Sequence, residues 1–166
     1  SPSARVELLV GDLAGRESSL ETVLEAQPEV LAHNLETVRR LSGAIRDRRA
    51  GYDQSLELLR RARRRGGPQL VTKSSIMLGL GETDAEIEAA LRDLRSVDVD
   101  LVTFGQYLRP SVDHLPVDRF VPPGEFDAWA DRARALGFAG VAAGPMVRSS
   151  YHADELYRRA RRLREG

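Results

Sequence analysis

The sequence of 166 residues contains no cysteine. That excludes disulfides, zinc–thiolate centres and cysteine-held iron–sulfur clusters within these residues. Lysine is almost absent as well: of 25 basic residues, only Lys73 is a lysine. The rest are arginine, a bias that a GC-rich genome produces without any functional demand. Neither sign of charge is in excess, since 25 acidic residues balance the 25 basic ones. A net charge of zero offers no electrostatic argument for nucleic acid or a membrane surface. No apolar run approaches the roughly 20 residues needed to span a bilayer, and no signal-peptide pattern opens the chain. Internal repeats and low-complexity linkers are missing too, so residues 1–166 read as a single domain. The chain opens Ser-Pro-Ser rather than with Met, which suggests a chain cut from something longer.

What is present is an alternation of short apolar runs and helical stripes. Val6–Val10, Val30–Ala32, Leu70-Val71 with Ile76–Leu78 around Lys73, Leu101–Phe104 and Val141–Ala143 predict about five buried strands. Between and after them, apolar residues recur at helical spacing. The stripes are Leu20/Val23/Leu24, Val38/Leu41/Ile45, Leu56/Leu59/Ala62, Ile87/Ala90/Leu91/Leu94, Phe126/Trp129/Ala130/Ala133 and Leu156/Ala160/Leu163. Gly66-Gly67-Pro68 breaks one helix, and Thr83 or Asp84 can cap another. The arginine-rich runs at 46–49, 60–65 and 158–165 read as solvated helix faces. Strands separated by helices imply an α/β fold of parallel strands with helical crossovers, either an open sheet or part of a barrel.

In such folds the chemistry gathers at the C-terminal strand ends. His33-Asn34-Leu35-Glu36-Thr37 follows the second strand and offers an amide and a carboxylate for hydroxyl or amino groups. Its bland alternative is a helix cap with Asn34 or Thr37 at the N-terminus. Lys73 can neutralise an anion or form a Schiff base. Gly79-Leu80-Gly81-Glu82 permits close backbone approach to a ligand, or simply a tight strand-to-helix turn. Gly105–Ser111 follows the fourth strand. Arg148-Ser149-Ser150-Tyr151 can bind an anion or cap the last helix. His114 and His152 have no partners at metal-ligand spacing.

Taken together, HNLETV (33–38), SLELLRRA (55–62), TKSSIMLGLGETDAEI (72–87), DLVTFGQYLRPSVDHLPVDRFVPPGEFD (100–127) and GFAGVAAGPMVRSSYHADE (137–155) resemble the lipoyl synthases of the radical-SAM superfamily. The similarity runs over nearly the whole chain. The resemblance implies a partial (β/α) TIM-like barrel, of which this chain is the C-terminal half, in a cytoplasmic enzyme. It implies S-adenosylmethionine cleaved to a deoxyadenosyl radical that abstracts hydrogens from C6 and C8 of an octanoyl group. That group sits on a lysine of a lipoyl domain or of the glycine-cleavage H protein. Two 4Fe–4S clusters are implied, the auxiliary one supplying the inserted sulfurs. By the same resemblance Asn34 and Glu36 hold the amino-acid or ribose part of the cofactor, and Lys73 and Ser74 point into the same cavity. Gly79, Gly81 and Glu82 run along the cofactor, and Gln106 and Tyr107 line its adenine end. Ser149 or Ser150 gives an oxygen to an auxiliary-cluster iron, with Arg148 and Tyr151 toward the substrate. No residue is assigned as catalytic.

The departure from the family pattern is the missing pair of cysteine triplets, which the family carries in its N-terminal half. A serine alone cannot hold a cluster. The chain by itself is therefore expected to be inactive, and its expected partner is a cysteine-bearing N-terminal half. A fragment is the leading reading, ahead of a truncated gene or a split enzyme, and a half barrel would expose an unpaired strand edge. Two other functions remain as alternatives. One is a barrel enzyme with Lys73 as Schiff-base nucleophile and a phosphate at Gly144–Ser150. The other is a cluster-free module that binds octanoylated domains.

Overall fold

The short apolar runs and the stripes between them become five strands and six α-helices. The computed structural model describes residues 4–165. The strands are β1 (Glu7–Leu9), β2 (Val30–Ala32), β3 (Val71–Leu78), β4 (Leu101–Gln106) and β5 (Gly140–Ala143). The helices are α1 (Glu17–Glu25), α2 (Arg39–Ile45), α3 (Tyr52–Arg65), α4 (Asp84–Ser96), α5 (Pro123–Ala135) and α6 (Ala153–Glu165). All strands pair in parallel in the order β1-β2-β3-β4-β5, and the sheet is left open. Right-handed crossovers between strands that follow one another in space put every connecting helix on the same face. This is the winding of a barrel rather than of a doubly wound sheet.

Strand alternation then sorts the residues. On the helix face, Ile76 and Leu78 of β3 and Val102 and Phe104 of β4 pack with Leu59, Leu91, Phe126 and Trp129 from the helices. On the inner face stand Val71, Lys73, Ser75 and Met77 of β3. Here α6 behaves differently from the other helices. Its Leu156 and Ala160 pack on Val30, Val71 and Leu101, so it covers the inner face near the strand starts.

Local chemistry explains the boundaries. The Thr83 hydroxyl accepts from the Glu86 backbone N–H while the Glu86 carboxylate reaches back to the Thr83 N–H, a capping box that starts α4. Several details depart from expectation. Lys73 does not separate two apolar runs; it lies inside one continuous strand, β3. Helix α2 begins at Arg39 after Val38, so neither Asn34 nor Thr37 caps it. Helix α6 begins at Ala153, too far along for Ser149 or Ser150 to cap it. Leu163, placed in the core by its spacing, is 65% exposed, while Arg164 beside it takes the inward position.

The far end of α6 is clamped instead by charge. Arg164 Nη2 meets Asp100 Oδ1 and Oδ2 at 2.5 and 2.6 Å, and its Nη1 donates to the Leu70 carbonyl at 2.6 Å. The Thr72 backbone N–H donates to the same Asp100 carboxylate at 2.8 Å. Removing Arg164 would leave a buried carboxylate without its counter-charge. The Arg164→Met variant is expected to lose about 2 kcal/mol of stability, between the values for exposed and fully buried pairs. Urea unfolding should show a lower midpoint with an unchanged slope, whereas Arg158→Met, at an exposed pair with Asp154, should leave the midpoint in place.

Candidate functional site

The segment after β2 carries the clearest sign of a site. Glu36 sits at φ 69°, in the left-handed region that a non-glycine residue occupies only when its surroundings hold it there. Its N–H donates to the Ser75 carbonyl at 3.0 Å, and its carbonyl accepts from the Met77 N–H at 2.8 Å. Those two bonds extend the β2–β3 ladder by an isolated bridge and turn the Glu36 side chain toward the C-terminal end of the inner face. Burial pushes the Glu36 carboxyl above its ordinary range, against an Asn34 hydrogen bond and the Arg46 charge, which both pull it down. Asn34 Oδ1 is buried and has no hydrogen-bond partner. A buried carbonyl oxygen without a donor is costly in a finished fold, and it is what a ligand-binding position presents before the ligand arrives.

Two adjoining cavities open here. One, of about 190 Å³, is lined by Asn34, Glu36, Ser75, Met77, Gly105 and Ser149 among others. The second, of about 610 Å³, shares Glu36 and Met77 and adds Tyr107, Arg46 and His114. Gly105 makes the first one possible. A Cβ on Gly105 would lie 2.4 Å from the Val147 carbonyl oxygen, so only glycine lets the 144–149 turn seat on β4 and bring Ser149 to the cavity. That turn is held by the Gly144 N–H to the Phe104 carbonyl at 3.2 Å and by the Val147 N–H to the Gly144 carbonyl at 3.1 Å.

Of the residues predicted from sequence, the structure brings Asn34, Glu36, Gln106, Arg148 and Ser149 to the smaller cavity and Tyr107 to the larger one. The remainder lie elsewhere or are already engaged. Lys73 and Ser74 do not share a cavity, because adjacent strand residues point to opposite faces. Ser74 faces the helices, where its hydroxyl accepts from the Leu35 N–H at 3.1 Å. Lys73 faces inward, but its side chain is 1% exposed and its Nζ is held by Glu7 at 2.9 and 3.1 Å. A carbonyl compound has no approach to that nitrogen. The Glu82 carboxylate folds back on its own turn, accepting from the Gly79 and Leu80 N–H groups at 2.7 and 2.8 Å. Gly79 and Gly81 both have positive φ, and a Cβ on Gly79 would meet the Gln106 amide and the Arg119 carbonyl. The close approach there is of one chain segment to another. The Gln106 side chain is consumed in the same way: it donates to the Tyr107 and Arg119 carbonyls and accepts from the Val121 N–H at 2.9 Å, tying down the 107–121 loop. Ser150 and Tyr151 are exposed, and the Tyr151 ring packs at a tilt against His152 with 4.2 Å between ring centroids.

Sequence reading passed over Arg46. The run at 46–49 is not a solvated helix face, since α2 ends at Ile45 and Arg46 turns inward, half-buried. Its Nη1 donates to Ser55 Oγ at 2.5 Å, and Ser55 Oγ lies 2.8 Å from His33 Nε2. His33 Nδ1 lies 3.0 Å from the Val10 carbonyl, which accepts only and so places the ring proton on Nδ1. With Nε2 then an acceptor, the Ser55 hydroxyl donates to it. Burial is the main cause that lowers the His33 pKa, and the Arg46 charge adds to it.

Folding thus favours neutral His33. As pH falls below the ordinary value of 6.5, the unfolded chain takes up the proton first, so this contribution is full above 6.5 and is lost on acidification. Thermal melts from about pH 7.5 to about pH 5.5 should show a falling Tm with a shallower slope in His33→Asn. Comparing the two proteins at each pH cancels the opposing Glu36 contribution. At the turn, Gly105→Ala should cost about 1–3 kcal/mol through forced displacement of the Val147 carbonyl, measured by denaturant unfolding.

The comparisons with known proteins agree with this geometry. The model of the radical SAM superfamily matches residues 2–94. Curated lipoyl synthases are similar over nearly the whole chain. That of Methanocella arvoryzae is 55% identical over 94% of this chain and 52% of its own length. That of Myxococcus xanthus is 52% identical over 99% of this chain and 55% of its own. That of Thermus thermophilus is 54% identical over 95% and 48%. The chain therefore spans about half the length of the curated relatives it matches. A parallel sheet wound to one side, open at the strand ends onto a polar cavity, and a family model covering more than half of the residues lead to one assignment: the chain belongs to the radical SAM superfamily.

Proposed function

We propose that these residues form the S-adenosylmethionine- and acyl-facing wall of a lipoyl synthase, the C-terminal part of its barrel, working in lipoate biosynthesis. The reaction is insertion of two sulfurs, at C6 and C8 of an octanoyl group carried on a lysine of a lipoyl domain or H protein. The observation that carries this reading is the meeting of Asn34, Glu36 and Ser149 on one cavity, with Asn34 Oδ1 buried and unpartnered.

S-adenosylmethionine fits these donors. The Glu36 carboxylate and the Asn34 carbonyl oxygen would accept from its ammonium or ribose hydroxyls, and Tyr107 and Met77 give the neighbouring cavity an aromatic and a soft apolar surface for the rest. Once bound, it would supply the precursor of the radical that abstracts hydrogen from the acyl chain. The clusters do not fit the residues present. The sequence has no thiolate, and among the described residues no group of three or more His, Asp or Glu side chains could hold a metal ion. Ser149 could add one oxygen beside the cavity, and it is better placed for this than exposed Ser150. The thiolate ligands belong to residues outside this sequence, which makes a cysteine-bearing N-terminal half the required partner and leaves this chain alone inactive.

The reading is tested in two steps. Calorimetric titration of the chain with S-adenosylhomocysteine should show binding that Asn34→Ala weakens by about 10-fold, through the lost polar contact. Co-expression with a cysteine-bearing half should then restore sulfur insertion, with Ser149→Ala more damaging than Ser150→Ala. No adenosyl binding and no restored insertion would overturn the reading. Capture of an octanoylated domain without either would favour the cluster-free binding module.

A further inference from the structure

The large apolar side chains that stand in water gather at one end of the barrel. Among the described residues, Val6 and Leu9 are exposed in and beside β1, and Leu163 is exposed on α6. The other five, Leu108, Val112, Phe120, Met146 and Tyr151, lie on the two segments that follow β4 and β5. No helix from α1 to α5 exposes one. Single exposed hydrophobes are ordinary on any surface, but their concentration on two segments is not. The two segments also meet: Leu108 lines the smaller cavity with Val147, Arg148 and Ser149, and the 110–116 turn walls the larger one.

Loose backbone does not account for this exposure. Arg109 Nε donates to the His114 carbonyl at 2.8 Å and its Nη2 donates to the Val112 carbonyl, which folds 109–114 into a tight knob. Ser111 Oγ and His114 Nδ1 lie 2.8 Å apart inside it. The Tyr107 hydroxyl donates to the Leu115 carbonyl at 2.8 Å, and the Asp118 N–H donates to the Gly79 carbonyl at 2.9 Å. Arg119 pairs with Glu125 at 2.7 Å. The segment is thus tied along its length, yet Val112 is 81% exposed at the tip of the knob and Phe120 is 73% exposed where the chain returns to α5. A rim already held in shape can bind a partner without first being ordered.

We infer that this rim is the docking surface for the folded carrier domain, with Val112 and Phe120 as its anchors and Met146 adding to it from the 144–149 turn. The inference rests on the proposed lipoyl synthase reading and adds to it the place where the carrier sits. Covalent geometry selects the occupant. Fully extended, a lysine Cα lies roughly 15 Å from C8 of its octanoyl group. With C6 and C8 in the strand-end cavities, the carrier's own surface has to rest on the rim around them. Val112, Phe120 and Met146 line neither cavity, so a small ligand held inside would not touch them. A rim contact of this kind is small, which suits a partner that must leave once it is modified.

The experiment uses the chain co-expressed with its cysteine-bearing half and measures the fluorescence anisotropy of two labelled probes, the octanoylated lipoyl domain and a short octanoyl-lysyl peptide. Val112→Ser combined with Phe120→Ser should weaken the domain by about 10-fold or more, as expected when two large apolar contacts are lost from an interface. The same variant should hold the peptide within a factor of about two. Met146→Ser should weaken the domain to a smaller extent, and Leu163→Ser, exposed on α6, should change neither probe. Equal weakening of both probes would mean that the loop only shapes the cavity. Peptide binding with no domain binding, or with a domain affinity unchanged in the double variant, would put docking elsewhere. Failure of the double variant to co-purify with the cysteine-bearing half would show that this half covers the rim. Each of these outcomes overturns the inference and leaves the lipoyl synthase reading standing. An unmodified assembly that binds neither probe would sink that reading and the inference with it.

Discussion

Sequential parallel pairing governs everything else in this structure. Because β1 through β5 lie side by side in chain order, each right-handed crossover must return on the same face, and five helices crowd there. That side becomes a dry core of Leu59, Ile76, Leu91, Phe104, Phe126 and their neighbours. The other face is left to α6 at the strand starts and to polar groups at the strand ends. A doubly wound sheet of the same strands would have spread its helices over both faces and left no such polar wall. The site is thus a consequence of strand order before it is a consequence of any single residue.

A half-covered inner face still has to accommodate charge in poor contact with water. Lys73 and Glu7 do so as a closed pair, and Asp100 with Arg164 do so at the clamp beneath α6. Closed pairs of this kind add little net stability against an apolar alternative, but each partner makes the loss of the other expensive. Asn34 differs from them in being left incomplete, with an oxygen that has no donor. In and beside one sheet, then, polar groups that are satisfied by the protein can be separated from the few that are not, such as Asn34 Oδ1 and Thr103 Oγ1.

That separation explains which parts were legible in the sequence. The strands and stripes could be read because burial imposes its period directly on the residues, as in Ile87, Ala90, Leu91 and Leu94. The capping of α4 by Thr83 could be read because its partners are three residues apart. Asn34 and Glu36 could be singled out as strand-end polar residues. Gln106 and Glu82 looked equally promising, yet their partners decide otherwise. Gln106 is consumed by Arg119 and Val121, on a loop whose return path no local pattern reveals. Ser74 was separable in principle, since adjacent strand residues face opposite ways, but two apparent strands flanking Lys73 hid the single continuous β3. Arg46 was hidden by abundance: one inward arginine in a run of solvated ones carries no mark until its neighbours are known.

The left-handed backbone at Glu36 ties these observations together. A non-glycine residue at φ 69° costs free energy, and it persists because the bonds to Ser75 and Met77 hold it. The left-handed residue lies past β2, which ends at Ala32, and starts the path toward Arg39, where α2 begins and then delivers Arg46 to the same cavity. One strained residue therefore sets both walls: its own carboxylate on one side and, through the length of α2, the guanidinium on the other. Relaxing that strain would move the two charges relative to each other. The spacing between Glu36 and Arg46 is thus a property of the backbone path as much as of the two side chains.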